Sequence, residues 1–284
     1  MTTEACPPSR HASRAILSVA GSDPSGGAGI QADLKTFCAI GVYGGAAITC
    51  LTAQNSHGVC SYLPIAPEFV KKQIQMVLAD LPVSHIKTGM LGTDEIAVAM
   101  AEALHDFPGE IICDPVLMAS TGHDLFRKTK NNAGLQALLN IATVLTPNLP
   151  ELATLTGQNP ETPQEAITAA TGLLARYPKL RAIVLTGGHI LEQAVEVEDF
   201  LILEHTSGPE IITARHARIA TQNTHGTGCT FASAFGAYHL LHGNDQNAFF
   251  KATAFMDTVL RQSAGLALGS GKGPLAHHLF GGKA

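Results

Sequence analysis

Residues 225–230 read H-G-T-G-C-T, and an apolar run with helical spacing follows to about Leu241. Glycines on either side of Thr227 let a backbone approach a ligand closely. Unpaired amides at the start of a helix make a hole for an anion, and a transferring phosphoryl group suits such a hole. Cys229 stands where the loop becomes the helix. The helix dipole is expected to lower a thiol's pKa there, and a thiolate can accept a proton from a substrate hydroxyl. Gly226, Thr227, Gly228 and Cys229 are therefore candidate catalytic residues. A tight strand–helix turn over a small buried cysteine would need the same residue types.

Two familiar phosphate loops do not match. G-S-D-P-S-G at 21–26 has Walker-like spacing, but Gly27 and Ala28 stand where Lys and Ser or Thr are required. G-T-G at 226–228 is followed by C-T-F, which breaks G-x-G-x-x-G. Lys272, in G-S-G-K-G-P, is a cation on a glycine-rich loop and a further catalytic candidate. Lys87 is a weaker one of the same kind, and His225 is placed to orient the Gly226 loop.

Short β-type runs alternate with longer helical ones. Strands are expected at 15–20, 46–51, 85–88, 111–113, 143–145 and 182–185, with shorter β-type runs over 197–219. Helices are expected from the Gly26–Gly29 turn to about Ile40, from Pro67 over the face Val70, Ile74, Val77, Leu78 and Leu81, and from Thr93 to about His105. Thr162-Pro-Gln-Glu supplies an N-cap, a Pro at the first helical position and a Glu at the third, so a helix is expected to about Tyr177. The last two helices are expected from Gly226 to about Leu241 and over about 246–264. This alternation argues for one domain, residues 14–284, with a mostly parallel sheet covered on both faces. In such folds ligands bind beyond the carboxyl ends of the strands. Six loops fall there: 21–29, 54–58, 114–122, 146–151, 186–189 and the Gly226 loop.

Net charge is −5, and the 18 Lys and Arg form no run, which argues against nucleic acid and anionic membrane as partners. No apolar stretch reaches the ~18 residues of a membrane span. Residues 1–13 are polar with two prolines and are expected to be a disordered tail. Six cysteines without a C-x-x-C pair fit neither a zinc site nor a disulfide framework, so a reducing cytoplasm is expected.

The chain resembles the hydroxymethylpyrimidine/phosphomethylpyrimidine kinases of thiamine biosynthesis, in the ribokinase-like superfamily. The strings that carry this are A-G-S-D-P-S-G-G-A-G-I-Q-A-D-L-K-T (20–36), T-A-Q-N (52–55), G-M-L-G (89–92), D-P-V (114–116), T-P-N-L-P-E (146–151), G-G-H (187–189), N-T-H-G-T-G-C-T (223–230) and G-K-G-P (271–274). They span about residues 14–275. The resemblance implies a three-layer α/β/α sandwich, often dimeric. It implies ATP-dependent phosphorylation of 4-amino-5-hydroxymethyl-2-methylpyrimidine, and then of its monophosphate. Pyridoxal kinase activity is one alternative, and a pyrimidine-binding regulator without turnover is another.

By the same resemblance Gln54 and Asp33 contact the pyrimidine, with Gly27, Ala28, Met90 and Val116 as pocket wall. Asn148 and the turn Thr186, Gly187, Gly188 and His189 border the nucleotide phosphates. Many relatives have Lys where Thr186 stands, which leaves a charge role there open. Glu151 and Asp114 are the candidates for Mg²⁺, directly or through water. Asn148 and Glu151 also have the spacing of a helix cap. Many ribokinase-like enzymes carry G-x-G-D as the base at the Gly226 loop; Cys229 in place of that Asp belongs to the pyrimidine branch.

Overall fold

The computed structural model describes residues 14–118, 125–127, 132–189, 195–205 and 208–280. The expected tail over 1–13, residues 119–122 of the loop after Asp114, and the side chain of His189 lie outside the described residues.

Eleven strands and eight helices are described. The first half runs β1 (Ala15–Ser22), α1 (Gly29–Ile40), β2 (Tyr43–Asn55), β3 (Gly58–Pro64), α2 (Pro67–Asp80), β4 (Val83–Thr88), β5 (Gly92–Thr93), α3 (Asp94–Ala103) and β6 (Glu110–Cys113). The second runs β7 (Phe126–Arg127), α4 (Ala133–Ile141), β8 (Val144–Leu145), α5 (Leu149–Thr156), α6 (Pro163–Arg176), β9 (Ala182–Leu185), β10 (Glu196–Leu203), β11 (Glu210–Ala217), α7 (Thr227–His242) and α8 (Asp245–Ser263). Nine strands form one sheet in the order β11-β10-β9-β8-β6-β4-β1-β2-β3. The six central strands are parallel; β3 and β10 run antiparallel to their inner neighbours.

Both faces of the sheet are buried, and the strands show it residue by residue. In β9, Ile183 and Leu185 join a core cluster under α2–α6, while Ala182 and Val184 join one under α7 and α8. In β1, Leu17 and Val19 face the first layer and Ile16 faces α1 and α7. Successive side chains on a strand point to opposite faces, so a run such as A-I-L-S-V-A must be apolar throughout. The helix starts follow their local chemistry: Thr162 and Glu165 close a reciprocal capping box before α6, and the Thr93 side chain caps α3.

Several boundaries differ from expectation. β2 extends to Asn55 and pairs with β3 as an antiparallel hairpin, so Gln54 lies on a strand and not in a loop. Residues 196–217 form two eight-residue antiparallel strands, where shorter runs were expected. Strand β3 and helix α4 were not anticipated. The glycine-rich segment after α8 is strapped down: Gly271 N and Lys272 N donate to Ser56, and His57 Nε2 meets Ser270 Oγ at 2.8 Å.

Helix α7, whose first turn carries Cys229, is anchored at its far end below the sheet. His239 Nδ1 lies 2.9 Å from His85 Nε2, and His239 Nε2 lies 3.2 Å from Arg181. Arg181 is held in turn by Asp245 and Glu110. Burial opposes protonation of both rings and lowers the His85 pKa to about 4. The unfolded chain therefore takes up these protons first as pH falls. The anchor's contribution is complete above about pH 6.5 and is lost towards pH 4. We expect the urea midpoint to fall across that interval, and to fall less in His85→Gln; parallel pH profiles would contradict this.

Candidate active site

A cleft of about 650 Å³ opens at the carboxyl ends of the central strands. Its lining brings together Ala28, Gln54, Met90, Asp114, Val116, Asn148, Glu151, Thr186, Gly188, Lys272 and the whole Gly226–Cys229 turn. Every loop of the expected set, from first to last in the chain, contributes a described residue to it.

The first turn of α7 forms as its sequence requires. Gly226 has φ +86°, a left-handed conformation in which a Cβ is strained, and no side chain caps the helix. The turn is latched to the first glycine loop. Asp23 Oδ2 accepts from His225 Nε2 at 2.9 Å and from the amides of Gly27 and Ala28 at 3.1 and 2.8 Å. Its other oxygen takes the Ser25 amide and hydroxyl. Burial opposes the Asp23 charge, but bonds from His225, Gln54 and Ser25 hold its pKa well below the usual carboxylate range. Asp23 was missed in the sequence; the D-P-S-G turn was a signal for it. A Cβ at Gly27 would sit 2.3 Å from the His225 ring, so Gly27 packs against the latch. It makes this latch and does not line the cleft.

Asp33 corrects an expectation. It is fully buried and outside the cleft lining. One carboxylate oxygen accepts from Ser18, the other from Ser233, and the second lies 3.0 Å from Lys87 Nζ. Its partners are supplied by the protein, which leaves it no approach to a substrate.

Lys87, the weaker candidate from sequence, is the centre of this cluster. It is 0% exposed and lies 3.0 Å from Asp33 and 3.4 Å from Asp114. Burial opposes its charge, yet Asp33, Cys229 and Asp114 more than offset this and raise its pKa. Asp114 is raised by burial, partly countered by Lys87 and by a hydrogen bond from the Cys229 thiol.

The thiol is the second correction. Burial pushes Cys229 up to about 12. Lys87 lowers it, but Asp114 and Asp33 act in the opposite direction. The helix N-terminus does not produce a standing thiolate here, because burial opposes the charge and two carboxylates add to that effect. At neutral pH the sulfur carries its proton.

Asn148 and Glu151 form a complete capping box at α5: each side chain accepts from the other's backbone amide at 2.9 Å. Both still line the cleft. Burial and the facing Asp114 charge raise Glu151 to about 8. A carboxyl group raised by the charge of a second one, whose buried Oδ2 has only the Lys87 ammonium at 3.4 Å, fits a divalent cation that keeps several waters. Among the described residues no group of three His, Cys, Asp or Glu is placed to hold a metal by itself.

Gly187 packs away from the cleft. Its amide donates to Asp199 Oδ1 at 2.7 Å, and a Cβ there would be 1.7 Å from the Glu198 carbonyl. Thr186 and Gly188 line the cleft, joined by His216 and Arg218 from the end of β11; neither of these two was anticipated. Lys272 is exposed and also lines the cleft, its amide tied to Ser56.

The phosphomethylpyrimidine kinase family profile matches residues 23–276. A hydroxymethylpyrimidine/phosphomethylpyrimidine kinase from Escherichia coli is 38% identical over 263 residues, 92% of this chain and 96% of that one. A chloroplast thiamine-biosynthetic bifunctional enzyme from Arabidopsis thaliana is 40% identical over 94% of this chain; the match spans 50% of that longer protein. Among solved structures, a pyridoxal kinase from Staphylococcus aureus in complex with ADP superposes with a TM-score of 0.81 at 30% identity, covering 94% of both chains. The sheet order, the convergent loops and these matches agree: the chain is a phosphotransferase that belongs to the phosphomethylpyrimidine kinase family.

Proposed function

We propose that the chain phosphorylates 4-amino-5-hydroxymethyl-2-methylpyrimidine with ATP, and then its monophosphate to the diphosphate. The single observation that carries this reading is the shared cleft. It puts the Gly226–Cys229 turn in one space with Gln54, Met90 and Val116. Gln54 can donate and accept at once, which suits an aminopyrimidine edge. Met90 and Val116 supply apolar contact for the ring.

Phosphoryl transfer depends mostly on positioning and charge. The amides of the α7 turn take the charge that develops on the transferring group. The Asp23–His225 latch keeps that turn fixed against the loop beside the acceptor. Cys229 and Asp114 both line the cleft and would form the proton path from the acceptor hydroxyl, the thiol passing its proton to the carboxylate as it takes the substrate's. Asp114 and Glu151 would hold Mg²⁺, which when bound neutralises charge between the phosphates. Thr186 and Gly188 would border the nucleotide, and Lys272 would supply a cation.

A homodimer is part of the proposal. Leu63 on β3, Phe69 and Met76 on α2 and Tyr43 on β2 are each more than half exposed along one sheet edge, and such an edge invites cover. A cytoplasmic setting is supported by five described cysteines, all of them free. No described helix is long and apolar enough to cross a membrane.

ADP release with hydroxymethylpyrimidine, its monophosphate and pyridoxal tests the reading. Turnover is expected with both pyrimidines, and Cys229→Ala should lower kcat by about 100-fold with little change in the KM for ATP. Faster turnover of pyridoxal, the activity named for the S. aureus neighbour, would favour the alternative kinase. Binding without turnover of any of the three would leave the regulator.

A further inference from the structure

Thr186 and Gly188 of the turn after β9 line the cleft and bring no charge. The adjacent hairpin brings one. Asp199 on β10 is buried and uses both oxygens: Oδ1 accepts from Gly187 N at 2.7 Å, and Oδ2 pairs with His216 Nε2 at 3.0 Å. One carboxylate thus fixes both the turn and the imidazole. His216 keeps 23% of its side chain exposed, and it lines the cleft beside Gly188. Arg218 Nη1 donates to the Gly188 carbonyl at 3.3 Å, bracing the turn from the same strand end.

We propose that His216, oriented by Asp199, is a binding residue for the phosphates of the nucleotide. The proposal rests on the reading that the cleft takes ATP. The charges facing the ring are few. Asp199 contributes from β10, Asp257 from α8 and Arg218 from the end of β11. Asp257 is itself paired twice with Arg261 at 2.8 and 2.9 Å, so its charge is shared. Arg215 and Glu198 pair with one another on the other face of the hairpin. The bond to Asp199, opposed by burial and helped by the Asp199 charge, raises the His216 pKa. More of the ring is therefore protonated at neutral pH than of an ordinary histidine. A protonated imidazole beside a turn of small residues attracts an anion, and a hydrogen bond to a charged group is worth about a factor of ten or more.

Calorimetric titration of the full chain with ADP and with adenosine, from pH 6 to pH 9, tests this without any turnover. His216→Gln should weaken ADP about tenfold at pH 6.5 and leave adenosine unchanged. In the wild type the advantage over the variant should shrink as pH rises through the His216 pKa; the nucleotide's own ionisation cancels in that ratio. Asp199→Asn is the second variant. Its amide oxygen can still accept from Gly187 N, while its NH₂ turns a donor towards His216 and holds the ring neutral. It should lose the pH-dependent part of ADP affinity with adenosine affinity retained. Equal weakening of ADP and adenosine, or wild-type ADP affinity in His216→Gln at every pH, overturns the proposal. Failure of ADP to bind the wild type would instead remove the reading of the cleft as a nucleotide site.

Discussion

Gly226→Ala should lower kcat by about 100- to 1000-fold, the range seen when a group that stabilises transition-state charge is lost. The cause is geometric. An added Cβ would lie 1.9 Å from the carbonyl oxygen of Gly27, which is backbone and cannot swing aside. The turn must then retreat from the acceptor loop, and the Asp23–His225 latch opens with it. The residue also sits at φ +86°, where any side chain is strained by about 1 kcal/mol. Gly41→Ala separates the two effects. Gly41 has φ +88° with nothing within 4 Å of an added Cβ. It should cost similar stability and leave kcat near wild type. Steady-state ADP release and thermal unfolding on both variants decide the matter. Near-normal kcat in Gly226→Ala would remove the α7 turn from the chemistry.

Lys87→Met should lower the free energy of unfolding by about 3–5 kcal/mol, the usual cost of removing one partner from a buried ion pair. The lysine has no solvent to replace it: its side chain and that of Asp33 are both 0% exposed. Methionine fills much the same volume but leaves Asp33 and Asp114 facing one another without a cation. Urea unfolding gives the measurement. Adding Asp33→Asn to Lys87→Met should recover part of the loss, because the stranded charge goes with it. A single variant as stable as wild type, or a double variant no better than the single, would show that the pair is not what holds this part of the core. Activity should fall as well, since Asp114 and the Cys229 thiol depend on the same lysine.

Most of the sheet was readable because its signals are local. β1 and β9 are short apolar runs bounded by glycine turns, and α6 opens on a capping box within four residues. β3 and α4 were not readable for related reasons. G-V-C-S-Y-L-P buries only Val59 below a tenth and so shows little alternation. α4 starts at Asn132 in a left-handed conformation with no side-chain cap, which removes the usual start signal.

The site divides along the same line. Sequence by itself determined that six loops fall at strand ends, that the turn at Gly226 calls for glycine, and that Asn148 and Glu151 have the spacing of a helix cap. The turn and the cap depend on residues within a few positions of one another, and the loop positions on the regular alternation of strands and helices. Tertiary structure alone decided the ionic state of the chemistry. Whether Cys229 holds its proton depends on its burial and on Lys87, Asp114 and Asp33, which are far from it in the chain. Whether Asp33 reaches a ligand depends on two serines, 15 and 200 residues away. Burial and charge are properties of what packs around a group, and spacing along the chain does not carry them.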